Sequence, residues 1–203
     1  SLSRTMLPLG GFKKSEIRDF AKSYGFTDLL KKPESYEICF VPDNDYRGFL
    51  KRRVEGLESQ VAGGNFVLSD GTVIGTHQGY PFYTIGQRKG LGIAIGTPLY
   101  VTEIRAGTNE VVLGREDELE RNGMWVHKLN LQKYADLDGK TMETTTKIRY
   151  KDPGKVASIT QIADRMQVHF HSKVNAIAPG QAAVFYEDED VIGGGWIQSS
   201  FEL

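Results

Sequence analysis

Four short stretches hold the residues whose types and spacing suit chemistry. The first is SYEICF at 35–40, which contains Cys39, the single cysteine of the chain. A thiol acts as its thiolate, and apolar surroundings without a cation raise its pKa. Ile38 and Phe40 therefore favour an inert, buried sulfur. In an extended segment, though, Ile38 and Phe40 share one face and Cys39 points the other way, so the neighbours anchor the chain and the thiol is presented. Core filler and nucleophile both stay open on these residues alone. The second stretch is TIGQRKGLGI at 84–93, where Gly86, Gly90 and Gly92 surround Gln87, Arg88 and Lys89. Glycine permits positive φ and close backbone approach. An amide beside two cations on such a loop suits a phosphate or a polynucleotide backbone, and a tight hairpin with solvated tips accounts for it equally well. The chain has no GxxxxGK[ST] or GxGxxG pattern, which excludes nucleotide-phosphate cradles of those kinds.

The third stretch is TTTKIRYKDPGK at 144–155. On a strand, Lys147, Arg149 and Lys151 fall on one face and Ile148 and Tyr150 on the other. A row of cations on a β-strand suits a surface that follows the backbone of RNA. Tyr150 is either a stacking residue or part of the core. The fourth is APGQAAVFY at 178–186. Pro179-Gly180 marks a turn, and Gln181 heads an apolar strand, where its amide can read a base edge or bond backbone. The histidines make no site: His169 and His171 are spaced to share a strand face, but no third ligand accompanies them and no metal is expected. His127 reads as structural, and His77 is of interest for its closeness to the glycine-rich loop. No Ser/His/Asp set or carboxylate pair is present.

The elements that must position these residues are mainly strands. Ser15 is placed to cap a helix over 16–23, with Ile17, Phe20 and Ala21 on one buried face and Gly25 at its end. Asn44 is placed to cap a second helix over 44–54, with Tyr46, Phe49, Leu50 and Val54 as its stripe. From about residue 60, glycine and β-branched residues take over. NFVLSDGTVIG reads as a hairpin turned by Asp70-Gly71, GYPFYTIG as a strand, and 99–113 as a hairpin turned at 107–109. The polar run EDELERNGM reads as a connector. Beyond it, strands recur over 124–129, 141–150, 155–162, 166–170, 182–186 and 191–198, a spacing that predicts a small antiparallel barrel or sandwich. The expected fold is mainly β with short N-terminal helices: 1–60 a helical segment with the Cys39 loop, 61–117 a small central β-rich domain, 118–203 a C-terminal antiparallel barrel.

The chain has 203 residues, a formal net charge of -1, 39% hydrophobic and 25% charged residues. That suffices for a sizeable core, and no apolar run approaches the roughly 20 residues of a membrane helix. One cysteine rules out an internal disulfide or a thiolate zinc cage and fits a reducing, cytoplasmic setting. Net charge decides nothing about nucleic acid, but the local basic clusters are compatible with phosphate. The start at SLSRTMLPLG, without Met, suggests a segment of a longer protein.

Taken in order, MLPLGGFKKSEIRDFAKSYGF, ESYEICFVPD, DGTVIGTHQGYPFYTIGQRKGLGI, NEVVLG, KIRYKDPG and APGQAAVFYEDEDVIGGGWI resemble the tRNA-specific 2-thiouridylases across nearly the whole chain. The resemblance covers the C-terminal half or more of such an enzyme. It departs from the family in lacking the SGGxDS-type loop and the earlier cysteine of the PP-loop ATP-pyrophosphatase domain, and in having Glu34-Ser35 where members read Asp-Ser. The resemblance implies the following chemistry. ATP and magnesium, bound by that missing domain, activate the 2-oxygen of the wobble uridine. A sulfur-relay donor protein loads a persulfide onto Cys39, the earlier cysteine helps to release it, and the sulfur displaces AMP. It further implies tRNA contacts at Arg149, Tyr150 and Gln181, to which Gln87, Arg88 and Lys89 are added, and no activity for the fragment alone. The rival expectation is a stand-alone RNA-binding β-barrel whose cysteine is incidental.

Overall fold

A computed structural model describes residues 4–31, 41, 45–137 and 139–202. The chain divides into two units, Ser1–Val54 and Glu55–Leu203.

The first unit contains α1 (Lys14–Ser23), α2 (Thr27–Lys31) and α3 (Tyr46–Arg53). α1 begins two residues earlier than the sequence suggests. Lys13 occupies the N-cap, and the Glu16 carboxylate, rather than the Ser15 hydroxyl, takes the free Lys13 N–H at 2.6 Å. Its end is as expected: Gly25 adopts φ 82, Gly25 N–H donates to Lys22 O, and Phe26 N–H donates to Ala21 O. This paired closure needs a left-handed residue where glycine stands. In α3 the capping side chain is that of Asp45, which accepts from Gly48 N at 2.8 Å; Asn44 lies outside the described residues. Neither apolar stripe is buried. α1 and α3 have no buried residue, Phe12 packs edge-on against Phe20 at 5.1 Å, and Met6, Leu7, Tyr24, Phe26 and Leu29 are exposed.

The second unit begins with α4 (Leu57–Val61) and a four-stranded sheet of β1 (Gly64–Leu68), β2 (Val73–His77), β3 (Tyr100–Arg105) and β4 (Glu110–Gly114), in the order β2-β1-β4-β3. The β1–β2 hairpin turns at Asp70-Gly71 as expected, with Asp70 accepting from Thr72 N at 2.8 Å. The central β1–β4 pair is parallel. GYPFYTIG is not a strand: Tyr80–Phe82 form a short 3-10 helix. Gly79 at φ 137 turns the chain, Phe82 and Tyr83 donate to Gly79 and Tyr80 carbonyls, and Pro81 has no N–H to offer a ladder.

At the edge of this sheet His77 is buried with Phe66 and Tyr83, ring centroids 5.2 and 5.5 Å away. Gly79 N–H donates to its Nδ1 at 3.0 Å, so the neutral ring carries its proton on Nε2. Burial pushes the imidazole below its ordinary value, with the Asn109 backbone opposing. The unfolded chain therefore takes up the proton first. The neutral ring's contribution is complete above about pH 6.5 and is lost as pH falls below that value. In urea titrations, parent and His77→Gln are expected to differ more in pH response between about pH 7.5 and 5 than at higher pH; parallel curves would contradict this.

The rest of the unit is a closed antiparallel barrel of β5 (Glu120–Leu131), β6 (Thr141–Lys147), β7 (Lys155–Ile162), β8 (Arg165–Asn175), β9 (Ala182–Glu187) and β10 (Asp190–Phe201), in the order β10-β5-β8-β7-β6-β9. The connector expected before it is short: Glu116–Leu119 form a 3-10 helix, Leu119 is buried, and β5 follows at once. Alternation fills the lumen. Met124, Val126, Ile159, Val168, Phe185 and Ile197 point inward and are almost wholly enclosed. Closure removes every free edge in this half of the unit. On β6 the inward residues include Thr144 and Thr146, whose hydroxyls lie 3.0 Å apart, with Thr144 also donating to Ala157 O at 3.2 Å, so these two buried hydroxyls are satisfied. No helix among the described residues is long and apolar enough to cross a membrane.

Candidate nucleic-acid interface

The inward alternation of β6 continues past its last paired residue. Ile148 is fully buried, leaving Lys147 and Arg149 on the outside of the barrel. The cationic row is nevertheless not one strand. β6 ends at Lys147, and Arg149, Tyr150 and Lys151 form a turn. The Asp152 carboxylate accepts from Ile148 N at 3.2 Å and from Gly154 N at 3.0 Å, and Asp152 N–H donates to Arg149 O at 3.1 Å. Pro153 follows, and the ladder cannot resume until Lys155. This turn lifts Tyr150 clear of the protein at 90% exposure, which removes the core alternative for that ring.

Arg149 and Tyr150 share a groove of about 540 Å³ with Lys147, Gln181, Val184 and Tyr186. Gln181 arrives from a distant part of the sequence because Gly180, at φ 86, turns the chain into β9, and because β6 pairs with β9 through Lys147↔Val184 and Thr145↔Tyr186. The Lys147 ammonium sits 5.1 Å from the centre of the Tyr186 ring. No carboxylate lines the groove, and Arg149 has no acidic partner among the described residues. Cations, an amide and an exposed ring around an apolar floor suit phosphate and base together. The sequence reading missed Tyr186; the outward alternation of Val184 and Tyr186 in AAVFYE is the signal that would have found it.

Gln181 also borders a second cleft of about 670 Å³ between the sheet and the barrel, lined in part by Tyr80, Thr84, Thr102, Arg121 and Ser199. The glycine-rich loop lies beside it. Gly86 N–H donates to Val101 O at 2.8 Å and Val101 N–H donates to Gln87 O at 2.9 Å, fastening the loop to β3. The Gln87 side chain is occupied at both ends, accepting from Thr84 N at 3.1 Å and donating to Lys89 O at 3.0 Å. It holds the loop in shape, while Arg88 and Lys89 are exposed. His77, near in sequence, is part of the sheet core. His171 pairs with Glu143 at 3.0 Å, and His169 packs edge-on against Phe201 at 5.3 Å. Among the described residues no three His, Cys, Asp or Glu side chains converge as metal ligands. Cys39 lies outside the described residues.

Three family models match the chain in succession: a tRNA methyl transferase HUP domain over residues 1–43, a tRNA methyl transferase PRC-barrel domain over 47–115, and an aminomethyltransferase beta-barrel domain over 121–197. Among curated proteins, the chain is similar to tRNA-specific 2-thiouridylase MnmA of Amoebophilus asiaticus, 66% identical over 202 residues that make up 100% of this chain and 54% of the relative. The counterpart from Cytophaga hutchinsonii is 64% identical, covering 100% of this chain and 55% of the relative. That from Salinibacter ruber is 52% identical, covering 97% and 51%. The chain spans about half the length of the curated relatives it matches.

Proposed function

The chain belongs to the tRNA-specific 2-thiouridylase family, and from that premise we propose that it is the tRNA-gripping, sulfur-carrying part of an enzyme that thiolates the wobble uridine of tRNA at position 2. The observation that carries this reading is the meeting of Arg149, Tyr150 and Gln181 around one groove without a carboxylate. The phosphodiester backbone lies along Lys147 and Arg149, a base stacks on Tyr150, and the Gln181 amide reads a polar edge. Arg88 and Lys89, on the loop that Gln87 holds in shape, add a second contact with the same tRNA.

Chemistry on a base inside a folded RNA requires that base to leave its stack, so the rest of the molecule must be held. The central β-rich domain, 61–117, and the barrel, 118–203, do the holding; residues 1–60 carry the Cys39 loop. Cys39 takes the outer sulfur of a donor protein's persulfide by thiolate attack, and the donor leaves as its thiolate. Delivery to the uridine follows, helped by a second cysteine in the whole enzyme. ATP and magnesium activate the uridine there. Among the described residues no convergent set of metal ligands is present, and the sequence has no GxxxxGK[ST] or GxGxxG loop to hold a nucleotide phosphate. We assign ATP and magnesium to a PP-loop domain of the whole enzyme, for which the exposed apolar residues of the first unit, Met6, Leu7, Phe26 and Leu29 among them, supply a docking face. A cytoplasmic location goes with this reading.

The test is the salt dependence of tRNA binding. Arg149→Ala is expected to weaken binding and to reduce the slope of log K against log salt by about 0.7 to 0.9, the loss of one phosphate contact. An unchanged slope removes Arg149 from the backbone contacts.

A further inference from the structure

We propose that the RNA path continues beyond Tyr150, across the outer face of the barrel, to a second stacking residue, Trp196, and a second cation, Lys128. This inference rests on the reading that the chain grips tRNA. Next to the groove at Arg149 lies another, of about 350 Å³, whose lining includes Lys128, Asn130, Gln132 and Trp196. The two grooves adjoin, with Ala182 and Val184 lining both.

The strand register explains why they adjoin. Lys147 stands opposite Val184 on the neighbouring strand, Val184 opposite Gly194, and Gly194 opposite Asn130. Trp196 stands opposite Ala182 on one side and His127 on the other. The path therefore crosses β6, β9, β10 and β5, three strand spacings or roughly 14 Å. Its floor is low because β10 contributes Gly193, Gly194 and Gly195. A Cβ on Gly194 would fall 2.4 Å from Ala183 O, and one on Gly195 2.6 Å from His127 O, so no side chain can interrupt the crossing.

The chemistry along it is of one kind. Tyr150 stands 90% exposed at one end and Trp196 49% exposed at the other, and tryptophan is the largest surface for a base to stack on. Lys147, Arg149 and Lys128 are the charged residues lining the two grooves, and neither groove has a carboxylate, although the chain holds 26 acidic residues. Lys128 sits at φ 50, a left-handed conformation uncommon for its residue type. At the near end the Asp152 carboxylate is taken up by the Ile148 and Gly154 N–H groups, and at the far border Asp190 and Glu187 hold Lys133 charged. Cations, amides and two spaced rings over a bare floor match single-stranded or splayed RNA, whose phosphates meet the cations and whose bases stack on the rings.

The 203-residue chain contains two tryptophans, so Trp125→Phe leaves Trp196 as the sole tryptophan, excited selectively at the red edge of the absorption band. Titrating that variant with unmodified tRNA at low salt is expected to change Trp196 emission along the binding curve. Trp196→Ala is expected to weaken binding by at least about fivefold. Lys128→Asn, which suits the left-handed backbone, is expected to lower the salt slope by about 0.7 to 0.9. If Arg149→Ala weakens binding while emission, Trp196→Ala and Lys128→Asn leave it unaltered, the extension is wrong and the grip at Arg149 stands. If the parent chain ignores tRNA at low salt, both fall. Emission that responds to protein concentration alone would make this a self-association face and overturn the proposal.

Discussion

Cys39→Ser in the full-length enzyme is expected to bring 2-thiouridine formation to background while tRNA affinity stays at the parent value. Serine keeps the shape of the side chain and alters only its leading atom. Sulfur transfer between persulfides proceeds by thiolate attack on sulfur, and a hydroxyl of far higher pKa can neither accept the outer sulfur nor present it. The affinity remains because the phosphate and base contacts belong to the β elements. A stand-alone RNA-binding module predicts something different: the same affinity and no thiolation to lose. Liquid chromatography of tRNA nucleosides, beside a binding assay on the same variant, separates these outcomes, and undiminished 2-thiouridine would remove Cys39 from the mechanism.

Tyr150→Ala is expected to weaken tRNA binding by about 1–3 kcal/mol, the worth of one base stacked on an aromatic ring, or about 5- to 150-fold. Tyr150→Phe keeps the ring and is expected to retain most of the affinity. Because Tyr150 is 90% exposed, neither change should move stability by more than about 0.5 kcal/mol. Affinity and urea midpoint measured together therefore distinguish a stacking ring from a supporting one. Wild-type affinity for Tyr150→Ala would contradict the stacking role.

What the sequence made legible followed from short-range physics. The six barrel strands and the Asp70-Gly71 hairpin were visible because inward and outward residues alternate and turn residues separate them. Arg149, Tyr150 and Gln181 were each singled out, but their convergence depends on the β6–β9 pairing, which joins segments far apart in sequence and leaves no local mark. The parallel β1–β4 pair was hidden for the same reason. The cationic row looked like a strand because its residue types alternate; the Asp152 carboxylate and Pro153 end the ladder instead and turn Tyr150 outward. GYPFY carries strand-forming aromatics, but the backbone at Gly79 folds it into a helical turn. Gln87 reads as a ligand-facing amide until its hydrogen bonds to Thr84 and Lys89 are seen. Trp196 and Lys128 gain meaning only when four strands are laid side by side. Cys39, the residue with the plainest chemical signal, lies outside the described residues.

The most direct measurement is intact-protein and peptide mass spectrometry of the full-length enzyme after incubation with a persulfide-bearing donor, without reductant. A gain of one sulfur atom, located on the peptide containing Cys39 and removed by dithiothreitol, is the expected result. Continued synthesis of 2-thiouridine with no sulfur ever found on that peptide would contradict it.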